Sequence, residues 1–271
     1  MAISSVDGIS AALPSGQGLL VNRASIANTA ANQFFSMWRS GTQPAQGAIP
    51  GAVAVCDNTT VGGMSFTNPG GGLFSYLALA TLVSPNAGTY VQILDRLSHM
   101  AGLSGTVTTA QTAAVDCTVS TSNMVLRKGA TNYSDIQWFI EIYTDLGATG
   151  VNATCAVVYD DASTANIVIA LGATPRASRR YPIISTTAGR FIRSITSVTL
   201  SATTGTAGSF GITAARALAP VSMEAANVAK VADWALLGIP RVQDSACLEH
   251  MVICPTTTTG TLIGSQTLIQ V

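Results

Sequence analysis

The chain has 271 residues, and its 13 basic and 13 acidic side chains leave a formal net charge of zero. Only 10% of the residues are charged, against roughly 25% in an ordinary soluble domain, while 48% are hydrophobic. This composition excludes an intrinsically disordered chain, which needs low hydrophobicity or high net charge. No apolar run approaches the ~20 residues of a membrane-spanning helix.

The sparse charge also bears on partners. Zero net charge gives little electrostatic protection against self-association, so we expect a subunit whose surface is largely covered by partner molecules. The alternative is a Thr- and Ser-rich surface that stays hydrated without charge. The first residues lack a basic n-region and a continuous apolar segment, which predicts synthesis in the cytoplasm. The five cysteines have no framework spacing and are predicted to be mostly buried thiols.

Residues 1–72 are predicted to form an N-terminal region of arm, helix and loops. The Ser-, Gly- and Ala-rich residues 1–21 are predicted to be an extended arm. A helix is predicted over residues 25–39, because apolar residues that include Phe34 and Trp38 recur at helical spacing. We expect this helix to pack on the rest of its own chain or, alternatively, to reach a neighbouring subunit.

Residues 73–271 are predicted to form an antiparallel β-sandwich of jelly-roll type. Runs of β-branched and small residues alternate there with turn signals. A helix inserted near residues 223–237 is predicted to start after Ser222 and to end at Gly238. Three Thr-Gly steps are predicted to close β-hairpins that span residues 138–159, 195–218 and 251–269. Further strands are predicted over residues 73–83, 90–97, 106–119 and 124–126.

The charges that follow residue 134 are separated by sign. Residues 135–161 carry five acidic and no basic side chains, whereas residues 162–223 carry six arginines and no acid. Such blocks predict a charge-complementary contact, within the chain or between subunits. A nucleic-acid site is disfavoured, because the chain is neutral and only Tyr181 adjoins the arginines. The predicted subunit-contact residues are Phe34, Trp38, Arg176, Arg179, Arg180, Arg190 and Arg193.

No motif supplies the residues of a metal or catalytic site. Cys247, His250 and Cys254 offer three potential zinc ligands, but a structural zinc site needs a fourth. His99 lies four residues after Asp95, yet a catalytic triad is assembled across a fold and not along the sequence.

Carboxylate pairs are the remaining source of chemistry. Glu141 with Asp145 stays open as a glycosidase-like pair. Asp160-Asp161 is predicted to begin a turn and lacks the spacing of a calcium loop. With two histidines and three glutamates in the chain, acid and base groups are scarce. We therefore predict a protein without enzymatic activity, cofactor or metal.

Five strand-and-turn segments carry a family resemblance: Gly88–Leu97, Gly105-Thr106, Gly147–Thr154, Ser197–Gly208 and the stretch from Asp244-Ser245-Ala246-Cys247. Together they resemble structural proteins of tailed bacteriophages, and the resemblance runs from about residue 73 to the C-terminus. Proteins of this class commonly contain jelly-roll sandwiches and assemble as symmetric oligomers on capsids or tails. The resemblance therefore implies a virion location.

The function that this resemblance implies is a capsid decoration (cement) protein. It would form a homotrimer and bind other virion proteins such as the major capsid protein. A tail or baseplate component is the alternative within the class. A carbohydrate-binding β-sandwich is the rival from another class, and it would need exposed aromatic platforms. Trp138, Tyr143 and Tyr159 lie on predicted strands and are expected in the core instead.

Overall fold

The computed structural model describes residues 5–271. The protein is mainly β, as predicted, with 45% of its residues in strands and 8% in helices. The strands form several antiparallel sheets, and six of them close into a barrel. These pairings do not confirm a jelly-roll sandwich. Among the described residues, no helix is long and apolar enough to cross a membrane.

The elements of residues 5–271 are mostly strands joined by short loops. In chain order the strands are β1 (Gln17–Arg23), β2 (Phe34–Ser36), β3 (Ala54–Val55), β4 (Ser75–Val83), β5 (Tyr90–Leu103), β6 (Gln111–Asp116), β7 (Ile136–Thr144), β8 (Val151–Tyr159), β9 (Thr164–Gly172), β10 (Arg179–Ile183), β11 (Ile192–Leu200), β12 (Ser209–Ser222), β13 (Lys230–Asp233), β14 (Arg241–Val242), β15 (Leu248–Ile253) and β16 (Leu262–Gln270). The α-helices are α1 (Val6–Ala12), α2 (Met124–Arg127) and α3 (Trp234–Leu237), and 3₁₀ turns span Leu13–Ser15 and Thr121–Asn123.

The chain folds into two compact units. Unit 1 holds the described residues up to Gly47 together with Asp57–Asp95 and Ala217–Val271, and unit 2 holds Ala48–Cys56 and Arg96–Arg216. The chain passes from one unit to the other within β5 and within β12. This division does not follow the predicted boundary at residue 72, because β1 pairs along its whole length with β16.

Unit 1 is built from two sets of paired strands around its own core. One sheet has the strand order β1-β16-β4-β13, with β14 also paired to β4. The other set places β15 between β2 and the first half of β5. Leu77 and Leu82 of the first sheet share a core cluster with Val91 and Ile93 of the second. Helix α1 packs through Ile9 at one end of the first sheet.

Unit 2 has a second, separate core. Its four-stranded sheet has the order β6-β11-β8-β9. Strand β7 lies between β10 and the first half of β12, and β3 pairs with the second half of β5. Alternate residues of β7, Trp138, Ile140 and Ile142, enter the same core cluster as Cys155 and Val157 of β8. The opposite face of β7 is also buried, and it carries Glu141.

The predicted helix over residues 25–39 is wrong. The stretch is irregular except for β2, and Asn28 and Asn32 adopt left-handed φ angles of 58° and 59° that interrupt a helix. Phe35 and Met37, two residues apart, both enter the unit 1 core. That spacing is the period of a strand and not of a helix. Tertiary burial therefore overrides the apolar stripe read from the sequence.

The predicted helix over residues 223–237 survives only as its last turn. Residues 230–233 form β13, which pairs with β4. Asp233 caps α3 by accepting a hydrogen bond from the Leu236 amide, and Gly238 ends α3 at a φ of 72°, as predicted. Residues 124–126, predicted as a strand, belong to α2.

The predicted extended arm is also wrong. Of residues 1–21, the first four lie outside the described residues, and the rest form α1, a 3₁₀ turn and most of β1. Since β1 is a full partner of β16, the N-terminal segment belongs to the body of unit 1.

The three Thr-Gly connections join strands correctly located by the sequence, but they do not close hairpins. Strand β7 pairs with β10 and β12, whereas β8 pairs with β9 and β11. The connections from β11 to β12 and from β15 to β16 likewise link strands of different sheets. Each connection is therefore an arch from one sheet to another.

Two of these arches are hydrogen-bonded to each other in unit 2. The amides of Gly147 and Thr149 donate to the hydroxyl and the carbonyl oxygen of Thr204, each at 3.1 Å. The Thr204 amide in turn donates to the Gly105 carbonyl at 2.8 Å. Thr204 is fully buried, so one threonine links three loops.

We expect Gly147→Ala to destabilise this junction. A Cβ at residue 147 would lie 1.8 Å from the Thr204 carbonyl oxygen, so the backbone must shift, at a cost of about 1–3 kcal/mol. Gly150→Ala is the matched control, because its nearest neighbour would lie at 3.3 Å. Differential scanning calorimetry should show the melting temperature falling by several degrees for Gly147→Ala and much less for the control. Equal melting temperatures would contradict the tight junction.

Candidate functional site

The predicted subunit-contact residues are not all at the surface. Trp38 and Arg180 are fully buried, the first in unit 1 and the second in unit 2. Phe34 is half-buried on β2. The remaining arginines of the set are partly exposed, and Arg179 stacks on the Tyr181 ring at 4.4 Å. A role in subunit contacts for this set stays a prediction.

The acidic and basic sequence blocks meet within unit 2, which confirms the intrachain form of the predicted charge contact. Arg176 pairs with Asp145 at 2.7 Å on the surface. Arg190 pairs with Asp161 at 2.9 Å at the turn between β8 and β9, the turn predicted from Asp160-Asp161. These two pairs are solvent-accessible and contribute little to stability. The pair that involves Arg180 is different because it is buried.

Glu141 is the centre of a buried polar cluster in unit 2. Arg180 is its cross-strand partner on β10 and donates to Glu141 Oε2 at 2.9 Å. Arg96 of β5 also reaches this oxygen at 2.9 Å, and the Thr213 hydroxyl of β12 donates to it at 2.6 Å. The three charged side chains are 0% exposed. We call these residues, with His99 and Tyr143, the Glu141 cluster.

Arg96 connects the remaining members of the Glu141 cluster. Its Nε donates to His99 Nδ1 at 2.9 Å and its Nη2 donates to the Tyr143 hydroxyl at 2.6 Å. The bond to Nδ1 requires that nitrogen to be unprotonated. Burial raises the pKa of the Tyr143 phenol well above its usual range. Both groups therefore act as neutral partners of a fixed guanidinium.

The electrostatics of the Glu141 cluster favour a permanent ion pair. Burial alone would raise the pKa of the Glu141 carboxyl, but the charges of Arg180 and Arg96 and the Thr213 hydroxyl outweigh it and lower this pKa to about 2. A carboxylate with so low a pKa and no exposure is a poor proton donor or acceptor at neutral pH. With Asp145 exposed on the surface, the two carboxylates do not form the glycosidase-like pair.

Unit 1 contains a second set of fully buried polar side chains, Arg23, Glu249, His250 and Gln266, which we call the Arg23 cluster. Arg23 donates to the carbonyl oxygens of Gly62 at 2.7 Å and Ser40 at 3.3 Å. Burial lowers the pKa of Arg23 to about 10, although the charge of Glu249 opposes the shift. Gln266 and His250 are joined through their Nε2 atoms at 2.7 Å.

His250 is held neutral in the Arg23 cluster. Burial, reinforced by the positive charge of Arg23, lowers the pKa of this imidazole to about 3. Cys247 and Cys254, its predicted companions in a metal site, are buried, and Cys254 Sγ lies 3.2 Å from the Thr258 carbonyl oxygen and from Asn86 Nδ2. Among residues 5–271, no three His, Cys, Asp or Glu side chains come together as a metal-binding group. All five cysteines are buried, as predicted.

Asp95 and His99 have separate hydrogen-bond partners. The Asp95 carboxylate accepts a hydrogen bond from the Cys247 amide at 2.8 Å in unit 1. His99 accepts its bond from Arg96 in unit 2. The sequence proximity of the two residues therefore does not create an acid–base pair.

A cleft of about 460 Å³ opens on unit 1, where residues 18–20, 43–45 and 58–65 line it. Its lining has no charged side chain and no aromatic ring. It therefore offers neither an acid–base pair nor a stacking platform for a sugar. The aromatic side chains considered for such a platform, Trp138, Tyr143 and Tyr159, are at most 3% exposed.

Comparisons with known proteins give the chain no family. No protein-family model and no curated protein matches it. Among solved structures, a structure of the infectious bursal disease virus Gt strain is 10% identical, with coverage of 94% of this chain and 81% of that chain and a TM-score of 0.17. Infectious bursal virus derived T=1 particles give 8% identity, 94% and 77% coverage and a TM-score of 0.18. TM-scores this low do not establish a shared fold.

Neither buried cluster was predicted from the sequence, although one signal for the Glu141 cluster was present. Glu141 interrupts the apolar run Trp138–Tyr143, and a lone acid in a buried strand needs a buried cation. Arg96 and Arg23 had no such signal, because their partners come from distant parts of the chain. In the Glu141 cluster, three fixed charges are held together inside unit 2.

We expect Glu141→Gln to destabilise the protein by about 3–5 kcal/mol, because two buried guanidinium groups lose their carboxylate. Urea unfolding at pH 7 measures this loss. Asp145→Asn is the control, since it removes an exposed ion pair worth at most about 1 kcal/mol. Similar free energies of unfolding for the two variants would contradict a structural role for the Glu141 cluster.

The Glu141 pKa also gives an acid limit to stability. Its folded value of about 2 lies below the ordinary 4.5, so the unfolded chain binds the extra proton. The stability that the ionised Glu141 contributes to the folded state is fully present above about pH 4.5 and is lost as the pH falls toward 2.

His250 gives a second, higher pH window. Its pKa falls from 6.5 to about 3 on folding, so the unfolded state binds the extra proton between these values. Stability should therefore decrease as the pH falls below 6.5, by up to about 1.4 kcal/mol per pH unit for one proton. Urea midpoints measured from pH 7 down to about 2 should lose the slope between pH 6.5 and 4.5 in His250→Gln, while the slope that Glu141 contributes below pH 4.5 remains. An unchanged slope above pH 4.5 would show that His250 is not buried in its neutral form.

Proposed function

We propose that the protein is a non-enzymatic structural protein of a tailed-phage virion. More specifically, the protein would be a capsid decoration protein that assembles as a homotrimer and binds the major capsid protein. The resemblance of its strand-and-turn segments supports the virion class. A mainly β fold with two separate cores suits this role without requiring a jelly roll. The structural observation that carries the proposal is an uncharged outer sheet face on unit 1.

That face belongs to β1, β16 and β4. The registers Leu20↔Ser265↔Thr81↔Val231 and Asn22↔Ile263↔Val83 run across it. Leu20, Val231 and Ile263 are 66%, 56% and 44% exposed. The residues of β1, β16 and β4 that share this face are Gly18, Leu20, Asn22, Ile263, Ser265, Thr267, Leu79, Thr81 and Val83, and none of them is charged. On β13 the same face carries Val231 and, opposite Leu79, the exposed Asp233 at its margin.

A sheet face that exposes large apolar side chains such as Leu20, Val231 and Ile263 favours a covering partner. Because β1, β16 and β4 place no charge on this face, the partner surface opposite them would be apolar or uncharged as well, as at the centre of a protein interface. Glu141 and His250, whose pKa values are strongly lowered, are buried in the Glu141 and Arg23 clusters. Contact and not catalysis is therefore the function that the surface supports.

Two alternatives remain distinct from this proposal. A tail or baseplate component would use the same surface on a different part of the particle, so only the position on the virion separates it from a decoration protein. A carbohydrate-binding β-sandwich is disfavoured by the burial of Trp138, Tyr143 and Tyr159. Glycan-array binding by the isolated protein would favour that alternative.

Virion location is testable directly. Particles would be purified on a density gradient from a culture infected with the phage that carries this gene. Their proteins would then be identified by mass spectrometry. We expect the protein to sediment with particles, with labelled antibody on the head. Label confined to the tail would replace the decoration role by the tail alternative, and recovery only from the soluble fraction would overturn the virion proposal.

The role of the uncharged face is tested with a matched pair of substitutions. Leu20→Lys places a charge on its most exposed apolar side chain and should weaken binding to particles that lack the protein at least tenfold. Leu126→Lys is the control, because Leu126 is a similarly exposed leucine on α2. Both variants should keep the wild-type melting temperature. Equal particle binding by the two would show that the face is not the attachment surface.

Deletion of the N-terminal segment is not a suitable test. Residues 1–40 include β1 and the fully buried Arg23 and Trp38. Their removal would therefore unfold unit 1 and not only detach an arm.

A further inference from the structure

The edge strands of the two open sheets are protected unequally against pairing with other chains. Strands β1 and β13 end one sheet, and β6 and β9 end the other. An exposed edge strand is a template for another strand unless charge, proline, shortness, a bulge or a covering segment blocks it. Three of these four edge strands are protected in one of these ways.

Strand β1 is covered by neighbouring loops. The Asn22 amide donates to the Gln43 carbonyl at 2.7 Å, and the Gln17 side chain exchanges two 2.8 Å hydrogen bonds with the Thr67 backbone. Strand β13 has only four residues and carries Lys230 and Asp233.

Strand β6 is irregular and carries a charge. Its register with β11 shifts at Ile195/Ser197, Ala114 has a left-handed φ of 51°, and Asp116 lies at its end. A regular partner strand would not fit this edge.

Strand β9 lacks these kinds of protection along most of its length. Its nine residues, TANIVIALG, contain no charge and no proline. Its register with β8 is regular from Thr164 to Ala170, and the extra residue, Leu171, comes only near the end. The Tyr181 hydroxyl donates to the Leu171 carbonyl at 2.5 Å, so the open part of the edge is Thr164–Ala170.

We propose that β9 pairs with β9 of a second copy of this chain, antiparallel and across a two-fold axis. A bare main-chain edge recognises another strand by backbone hydrogen bonds. Self-pairing brings no like charges together, because the outer faces of β8 and β9 carry only Asn, Thr, Ala, Val and Gly side chains. The two four-stranded sheets would become one continuous sheet.

The symmetry of this contact limits its place in an assembly. An antiparallel pair of identical strands is an isologous contact, so it joins two copies and cannot close a threefold ring. It would therefore link two trimers. The inference rests on the proposed assembly function, to which it adds one specific contact. Because a single strand pair buries little surface, we expect weak, concentration-dependent association.

The first experiment compares two lysine substitutions on opposite edges of the same sheet. Val168 is 59% exposed at the middle of β9, and Thr112 is exposed on β6. Sedimentation velocity over a wide concentration range should give a wild-type monomer–dimer equilibrium that Val168→Lys weakens at least tenfold. Thr112→Lys should leave it unchanged. Equal dimerisation of the two variants would overturn the pairing.

A second experiment does not require strand β9 to tolerate a lysine. Asn166→Cys, Val168→Cys and Ala170→Cys place single thiols on the exposed face of β9, while the five native cysteines are buried. A short bismaleimide should cross-link two copies at one or more of these positions, and Thr112→Cys should give no dimer. Absence of cross-linking at all three positions, with a monomeric wild type, would overturn the inference.

The inference and the proposed function can fail separately. Protein that is found on virions but is monomeric and not cross-linked would leave the virion role standing without the β9 contact. Protein that dimerises through β9 but never sediments with particles would support the contact and overturn the virion role.

Discussion

A fully buried carboxylate held between two guanidinium groups is the interaction on which unit 2 depends. Glu141 pairs with Arg96 of β5 and Arg180 of β10, and Thr213 of β12 donates to the same oxygen. Removing three charges from water is costly, and it is offset only when all three stay together. The cluster therefore ties four strands to one register, since a one-residue slip of β10 would turn Arg180 to the other face.

The buried charges also change how the composition should be understood. Four of the 13 basic side chains are fully buried, namely Arg23, Arg96, Arg127 and Arg180. Glu141 and Glu249 are buried with them. With Asp95, which is also buried, seven of the 26 charged side chains are kept away from the surface. This connects the interior to assembly, because charges that would help keep copies apart in solution are used inside the two cores.

The sequence located most strands but not their partners. Alternation and β-branched content identify β4, β5, β7 and β8, since these are local properties. Pairing depends on which distant strand lies alongside, so the Thr-Gly turns predicted hairpins where the chain forms arches. The prediction of a helix over residues 25–39 was wrong, because the apolar residues that follow a helical spacing there belong to a strand and to irregular loops. Cluster residues such as Arg96 were missed for the same reason, as their roles exist only after strands from four regions meet.

The pairing of β1 with β16 sets an order of events during synthesis. Arg23 lies opposite Leu262, so β1 cannot find its partner until nearly 240 further residues have been translated. The segments of unit 2, which end at Arg216, are complete before β16 has been made. Until then Leu19 and Val21, later part of the unit 1 core, have no sheet to join. Closing so long a loop is entropically costly and slow, and a nascent chain in this interval must keep its first strand from other partners.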